Sequence, residues 1–284
     1  MLQLNSQQSI LVTGCEGQLG SELLRQLGSS AVGFNHAELN IVHRAPIRSA
    51  LNEHKPQVVI NTAAYTKVDQ AEDDKANCRK VNHLAVGHLA ETCEEIGTRL
   101  VHISTDYVFG GDQERTTPYL ETDKPDPISA YGRAKHGGEQ QAKRCANHLV
   151  IRTCGLYGTQ GANFVKTILR FASRNRKLQV VNDQHCTPSY VGHVAQAVIY
   201  LARHETTGII HVTNDGATTW FDFASEILKV HELDVGVQAI ASEQYRFDAP
   251  RPTYSVLDCS KYKSLDGPAM PHWRDGLVSM KQEM

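Results

Sequence analysis

Short apolar, β-branched runs alternate with stretches of helical periodicity through the first half of the chain. The run SILVT at residues 9–13 predicts a buried strand, and leucines at helical spacing over residues 18–27 predict a helix that Gly28 ends. The same pattern continues with strands at 31–34, 57–61, 99–104 and 148–152, and with helices at 46–54, 78–96 and 131–146. Strands that alternate with helices over short connections predict a parallel sheet with helices on both faces.

The alternation is less regular in the second half of the chain. Helices are predicted at 164–173, 191–203 and 220–230, with a strand at 208–213, and proline and glycine become more frequent from residue 250. We therefore predict an α/β fold of the Rossmann type, a doubly wound parallel sheet. Residues 1–157 form its NAD(P)-binding domain, and residues 158–284 form mainly a smaller substrate-binding lobe that is interleaved with the last elements of the sheet.

Composition and charge narrow the classes of partner. The 284 residues carry 29 Lys and Arg against 31 Asp and Glu, and without a basic block we expect neither nucleic acid nor membrane as a partner. Residues 1–8 lack the layout of a signal peptide, and seven dispersed cysteines are typical of reduced thiols, so we expect a cytoplasmic protein. Neither the cysteines nor the 14 histidines have the spacing of metal ligands, and no metal site is predicted.

Three glycines mark the junction between the first strand and the first helix. Gly14, Gly17 and Gly20 lie three apart in TGCEGQLG, where backbone amides and the helix amino end can receive a pyrophosphate. The alternative is that they only shape a tight turn, but their position favours a dinucleotide. After the second strand, Asn35 stands where an acidic residue would bind a ribose hydroxyl, and Glu38 is too far along the loop. This favours NADP(H) and leaves NAD(H) open.

Tyr131 and Lys135 lie four residues apart in YGRAK and therefore share one face of a helix. A neighbouring ammonium would lower the pKa of the phenol and suit it to proton transfer, while a hydroxyl at Ser104-Thr105 would bond the same substrate oxygen. The alternative is an amphipathic helix that carries the pair by chance. The order of the three signals, from glycine turn to hydroxyl at a strand end to Tyr-x-x-x-Lys, predicts a carbonyl reductase.

With these motifs the chain resembles the extended short-chain dehydrogenase/reductases, and among them the dTDP-4-dehydrorhamnose reductase family. The stretches that carry the resemblance include TGCEGQLG, VVINTAAYTKVDQAE, STDYVFGG, YGRAKHGGE, RTCGLYG, VNDQHCTPS and PHWRDGL. The resemblance implies NAD(P)H-dependent reduction of the 4-keto group of a dTDP-6-deoxyhexulose, from dTDP-4-dehydrorhamnose to dTDP-L-rhamnose.

The resemblance also assigns residues. It implies Thr105, Tyr131 and Lys135 as the catalytic residues. The implied cofactor site consists of Gly14, Gly17, Gln18, Leu19, Gly20, Asn40, Ile41, Ala63, Ala64, Tyr65, Tyr131 and Lys135. The implied substrate site consists of Ser104, Thr105, Asp106, Val108, Phe109 and Arg251.

Three departures from the family pattern concern the substrate rather than the hydride chemistry. Gly155 stands where the family often has a tryptophan, Cys186 stands where it has a glycine, and Val256 replaces an arginine. Glu22 corresponds to a carboxylate that some members use for a cation at a dimer contact, and a homodimer is expected as the commonest assembly. Two other functions stay open: an epimerase or dehydratase that retains NAD, and a non-catalytic subunit similar to the regulatory subunit of methionine adenosyltransferase.

Overall fold

The computed structural model describes residues 10–174 and 177–284. Its strands are β1 Ile10–Thr13, β2 Ala31–Phe34, β3 Val58–Asn61, β4 Arg99–Thr105, β5 His148–Thr153, β6 Leu156–Tyr157, β7 Lys177–Val181, β8 His185–Cys186, β9 Ser189–Tyr190, β10 Gly208–His211, β11 Thr218–Thr219 and β12 Gly236–Ile240. Its α-helices are α1 Gln18–Leu27, α2 Arg44–His54, α3 Gln70–Asp73, α4 Lys75–Arg79, α5 Ala85–Ile96, α6 Ala130–Ala142, α7 Phe164–Ala172, α8 Val191–Arg203, α9 Trp220–Val230, α10 Ser260–Lys263 and α11 Trp273–Glu283. Short 3-10 turns lie at Gly28–Ser30, Asp106–Val108 and Ser242–Gln244.

Six parallel strands form the central sheet in the order β10-β5-β4-β3-β1-β2. The chain runs from β1 to β2 on one side and to β3 on the other, so the connections that follow β1 and β3 separate and leave a crevice at the strand ends. Thr13 at the end of β1 is paired with Phe34 on one side and Asn61 on the other. Open α/β sheets bind ligands at such a switch point. The Rossmann-type fold predicted from the sequence is confirmed.

Both faces of the sheet are covered, which explains the uninterrupted apolar runs of the strands. Helices α1 and α8 bury one face, with Val12, Leu23 and Val198 in a single cluster. Helices α2 and α5 bury the other face around Leu51 and Leu89. A strand buried on both sides cannot slip in register without exposing apolar side chains, and this fixes the strand ends that form the crevice.

Residues after 157 contribute to two bodies. Helix α8 and strand β10 join the central sheet, where β10 pairs with β5. The remaining helices α7, α9 and α11 pack with β7 around an aromatic centre formed by Tyr157, Phe223 and Trp273. The second group lies beside the carboxyl ends of the sheet and provides the second wall of the crevice.

The long helix predicted over residues 78–96 is interrupted in the structure. A π turn, Lys80–Leu84, separates α4 from α5 and places the buried side chain of Asn82 against the backbone of Tyr65. The apolar positions on each side of the π turn have helical spacing of their own, so the pattern predicts one continuous helix. The first strand was predicted to begin at residue 9, which lies outside the described residues.

Candidate active site

A cavity of about 860 Å³ follows the carboxyl ends of β1, β2, β3 and β4. Its floor is backbone that tolerates no side chain at two positions. Gly14 has a φ of +70°, and a Cβ there would lie 2.7 Å from the backbone of Ala63, while a Cβ at Gly20 would lie 2.3 Å from the Gly14 carbonyl oxygen. These glycines bring α1 and the loop after β3 against the first turn, and the amino end of α1 faces the cavity. The cradle fits the pyrophosphate of a dinucleotide.

All twelve residues that the sequence assigned to the cofactor line this cavity. Gly14 to Gly20 form one end, and Ala63, Ala64 and Tyr65 form the wall that follows β3. Further lining residues that the sequence analysis did not assign are Glu16, Asn35, His36, Thr62, Gly161 and Ala162. Thr62 supports the glycine turn, because its hydroxyl donates to the Thr13 carbonyl oxygen at 2.6 Å. The sequence could have indicated these additional residues only through their positions, at strand ends beside the glycine turn.

A second cavity of about 270 Å³ lies between the sheet and the second lobe. Thr105 and Tyr131 line both cavities, so they stand on the wall that the two share. The other side of the small cavity comes from the second lobe through Gln184, Trp220 and Ser255. Two ligands, one in each cavity, would therefore lie next to each other beside Tyr131.

Local structure fixes the three predicted catalytic side chains. Tyr131 lies in the first turn of α6, where Ser129 caps the helix by accepting a hydrogen bond from the Gly132 amide at 3.0 Å. Thr105 ends β4, and its hydroxyl donates to Asp106 Oδ1 at 3.0 Å. Lys135 follows one helical turn later, and its Nζ donates to the Ile103 carbonyl oxygen at 2.6 Å.

The electrostatics differ from the expectation for this pair. Burial raises the pKa of Tyr131, and the negative charge of Asp106 raises it further, whereas Lys135 is not among the causes. The prediction that Lys135 lowers the pKa of Tyr131 is therefore wrong for this structure, in which the ammonium is bonded to the Ile103 carbonyl. Burial lowers the pKa of Lys135 itself to about 8, and the nearby Glu139 partly opposes that shift.

A buried ion pair between Arg152 and Glu139 lies next to the predicted catalytic residues. Arg152 donates to both carboxylate oxygens of Glu139 at 2.8 Å, and the Ser104 hydroxyl donates to Glu139 at 2.6 Å. Burial alone would raise the pKa of Glu139, but these hydrogen bonds and the charge of Arg152 lower it to about 2. The sequence analysis missed this pair, although YGRAKHGGE places Glu139 one turn beyond Lys135.

A family model described as the RmlD substrate binding domain matches residues 8–284 of the chain. The probable dTDP-4,6-dihydroxy-2-methyloxan-3-one 4-ketoreductase of Streptomyces antibioticus is 39% identical over 94% of this chain and 92% of its own length. The dTDP-4-dehydrorhamnose reductase of Streptomyces griseus is 37% identical over 94% of this chain and 91% of its own. This chain belongs to the dTDP-4-dehydrorhamnose reductase family. The resemblance carried by its motifs is thereby confirmed.

A solved member of the family has nearly the same structure. The dTDP-4-dehydrorhamnose reductase of Bacillus anthracis, in complex with NADP, superposes with a TM-score of 0.94 at 34% identity, covering 98% of this chain and 100% of that one. The similarity extends over both the sheet and the second lobe.

Four residues that the family resemblance assigned to the substrate lie elsewhere. Val108 and Phe109 are buried, and Phe109 stacks on Tyr119 at 4.0 Å; neither lines the large or the small cavity. Ser104 lines only the large cavity, with its hydroxyl committed to Glu139. Arg251 lines neither cavity, because its guanidinium is paired with Asp69 at 2.8 Å. The motif gave the chain positions but not the directions of these side chains.

The three departures from the family pattern have different settings. Gly155 lines both cavities, has a φ of +53°, and leaves room for Trp220, whose ring would lie 3.5 Å from a Cβ at that position. Cys186 lines the small cavity. Val256 is buried away from both cavities and faces no ligand space. Two of the three departures therefore change the wall of the small cavity.

Two negative findings concern the part of the chain that the structure describes. Within residues 10–174 and 177–284 there is no cluster of three His, Cys, Asp or Glu side chains placed to hold a metal ion. The carboxylate of Glu22 accepts hydrogen bonds from Arg25 and Gln26. Over the same ranges no helix combines the length and the apolar character needed to cross a bilayer.

Proposed function

We propose that this chain reduces the 4-keto group of a dTDP-6-deoxyhexulose, converting dTDP-4-dehydrorhamnose to dTDP-L-rhamnose at the expense of NADPH. The observation that carries the proposal is the position of Thr105 and Tyr131 on the wall common to a dinucleotide-sized cavity and a smaller one. The names of the two Streptomyces relatives, both 4-keto reductases of dTDP sugars, support the same chemistry.

NADP(H) is the preferred cofactor in this proposal, and NAD(H) is a possible substitute. The relative from Bacillus anthracis binds NADP. At the end of β2 this chain places Asn35 and His36 against the cavity, where an acidic residue would otherwise repel a 2′-phosphate. The glycine cradle, α1 and the Ala63–Ala64–Tyr65 wall would hold the dinucleotide. When bound, reduced nicotinamide supplies a hydride to the carbonyl carbon.

The residues of the chain do the rest of the work. Tyr131 donates its phenolic proton to the carbonyl oxygen, and a raised pKa keeps that proton on the phenol until the oxygen becomes basic. The buried Lys135, held at the Ile103 carbonyl, lines the same cavity and places positive charge beside the dinucleotide. Burial excludes water from both groups.

The relatives favour reduction over an epimerase that retains NAD, because both Streptomyces proteins are named as reductases. A regulatory subunit needs no catalytic side chains at a cavity wall, whereas Thr105, Tyr131 and Lys135 all line the large cavity.

The deciding experiment is a reductase assay on purified protein with NADPH and dTDP-4-dehydrorhamnose. We expect substrate-dependent oxidation of NADPH, and Tyr131→Phe should lower kcat by about 10²–10⁴-fold with NADPH affinity nearly unchanged, since only the transferable proton is lost. Tyr200→Phe is the matched control, because Tyr200 lines neither cavity. Wild-type turnover in Tyr131→Phe would refute the assignment, and turnover without added cofactor would favour the epimerase.

Three further expectations belong to the same proposal. We propose that residues 1–157 act as the dinucleotide-binding domain and residues 158–284 mainly as the substrate lobe. We also propose a homodimer, which light scattering tests, and a cytoplasmic location, which the seven unpaired cysteines favour.

A further inference from the structure

The hydroxyl of Thr105 lies between two groups that compete for its single proton. Its Oγ1 donates to Asp106 Oδ1 at 3.0 Å and accepts from the Tyr107 amide at 3.2 Å. It lines the small cavity together with Tyr131 and lowers the pKa of that phenol. A hydroxyl has one proton and two lone pairs. While that proton points at Asp106, Thr105 can only accept from Tyr131 and has no proton left for a ligand.

Asp106 is built as an acceptor. Its side chain is buried and lines the small cavity, and the Cys154 thiol donates to its Oδ2 at 3.1 Å. The Thr105 hydroxyl donates to its Oδ1 at 3.0 Å, and the Ser255 hydroxyl, which lines the same cavity, lowers its pKa. Along residues 10–174 and 177–284 no basic side chain forms an ion pair with it. Burial raises the pKa of the Asp106 carboxyl, and these donors oppose that rise because they favour the carboxylate.

The charge of Asp106 acts on the phenol of Tyr131. Burial disfavours a phenolate most, and the charge of Asp106 and the thiol of Cys78 on α4 disfavour it further, whereas the Thr105 hydroxyl favours it. The other titratable groups around this phenol are Tyr107, whose ring meets it edge-on at 5.9 Å, Tyr65 across a shared apolar cluster, Lys135 one turn along α6, and Glu72, which accepts from the Ala130 amide. Asp106 is the anion that opposes ionisation most.

We infer that Asp106 is a positioning residue, which holds the Thr105 proton in the resting site and keeps Tyr131 in its proton-donating form. The inference rests on the proposed function, since a reductase needs a protonated phenol. When the O–H bond of Tyr131 breaks and an O–H bond forms on the ketone oxygen, a phenolate remains. The Thr105 hydroxyl then turns from Asp106 to that phenolate; it keeps its own proton and changes only its acceptor.

This account predicts opposite effects from two neighbouring substitutions. Asp106→Asn removes a negative charge, so Tyr131 should ionise at lower pH, by about 1 unit or more for charges at this range. Thr105→Val removes the donor that stabilises the phenolate, so Tyr131 should ionise at higher pH. A general loosening of the site would move both in the same direction. Asp215→Asn, an exposed carboxylate outside both cavities, is the control and should change nothing.

The measurement is a titration of the cofactor-free protein that carries difluorotyrosine at position 131, followed by fluorine NMR. Fluorine makes the phenol more acidic, which brings its ionisation into the range where the protein stays folded. The inference is overturned if Asp106→Asn leaves the midpoint unchanged or raises it. Should that variant not fold, Cys154→Ala replaces it: loss of one donor should raise the midpoint of the Asp106 carboxyl in carbon NMR, and an unchanged midpoint would also overturn the inference.

The assay separates this inference from the proposed function. In the reductase assay, Asp106→Asn should lower kcat about ten-fold or more at the upper end of the pH range, with the KM for NADPH unchanged. If the wild-type protein reduces no dTDP sugar and the fluorine titrations still shift as expected, the role of Asp106 stands and the substrate assignment fails.

Discussion

Lys135 is a buried ammonium whose charge depends on one neighbour. Burial lowers its pKa to about 8, and the carboxylate of Glu139 opposes that fall. If turnover needs the ammonium, kcat/KM should decline as pH rises through about 8. Glu139→Gln removes the opposing charge, so the pKa of Lys135 drops and the decline should begin at lower pH. A pH profile of kcat/KM, recorded where circular dichroism shows folded protein, checks this.

The matched control for that profile is Glu95→Gln, because Glu95 lies on α5, pairs with Arg44 and Arg48, and lines neither cavity. Its alkaline limb should coincide with that of the wild type. Glu139→Gln also leaves Arg152 without its partner, and a loss of about 3–5 kcal/mol in unfolding free energy is expected for a broken buried pair. An alkaline limb that stays in place would show that Glu139 supports the fold without tuning Lys135.

At this scale the sequence predicted which residues meet but not how they act on one another. Chain order and helical spacing brought Thr105, Tyr131 and Lys135 to one wall, because strand ends and helix faces follow from local pattern. The direction of a pKa shift depends on burial and on Asp106, which are properties of the folded site. Phe109 lies in a buried apolar cluster, since a motif position does not determine whether a side chain faces the cavity or the core.

Among the secondary structure elements, the π turn between α4 and α5 has a specific task. It places the amide of Asn82 against the loop after β3, where Asn82 accepts from the Tyr65 amide at 2.8 Å and donates to the Tyr65 carbonyl at 2.9 Å. Asn82→Ala leaves both backbone groups unpaired, so we expect a loss of about 2–4 kcal/mol in unfolding free energy and weaker NADPH binding. Urea unfolding and a fluorescence titration with NADPH measure the two effects.

Asn77→Ala provides a comparison on the adjoining helix α4, where the exposed Asn77 side chain bonds only to Asp74. This substitution should change the unfolding free energy by no more than about 0.5 kcal/mol, as is usual for surface positions. Equal effects of the two substitutions would mean that the Tyr65 loop does not depend on Asn82.

The strands and most helices of the central sheet were predicted, because the sheet is buried on both faces, whereas β7, β12, α10 and α11 of the second half were missed. Helices α8 and α9 begin and end at the predicted residues, since apolar positions at helical spacing mark a buried face over ten residues or more. The π turn was missed because Val86, Leu89 and Ala90 keep the same apolar spacing on its far side. The two-residue strands β6, β8, β9 and β11 are fixed by tertiary contacts and leave no local pattern.

At the scale of the whole molecule, long-range strand pairing determines which late strand joins the central sheet, and the order of elements along the chain does not. Strand β10 comes after a helix and several short strands of the second lobe, yet it returns to pair with β5. The sequence indicated that sheet elements and lobe elements interleave after residue 157, but not which strand returns. That return anchors the second lobe beside the sheet and so creates the small cavity.

One ion pair joins the two sides of that cavity, and it can be tested directly. Arg251 of the second half binds both carboxylate oxygens of Asp69, at 2.9 and 2.8 Å, and the Ala249 amide donates to the same carboxylate at 3.1 Å. The neighbours Val68 and Pro252 line the small cavity. Hydrogen bonds from Arg251 lower the pKa of Asp69, so the contact is charged at neutral pH and is lost only in acid, as pH falls through that lowered value.

Asp69→Asn should therefore loosen the second wall without altering the chemistry. Because Asp69 is partly exposed, the binding free energy of the dTDP sugar should weaken by at most about 1 kcal/mol. That change is equivalent to roughly a five-fold rise in the KM for the dTDP sugar. The KM for NADPH and the kcat at saturation should stay near wild-type values, since the large cavity and Tyr131 are untouched. Asp215→Asn, which breaks the exposed pair with Lys263, should leave every kinetic constant unchanged. A rise in the KM for NADPH in Asp69→Asn would show instead that the contact supports the dinucleotide cavity.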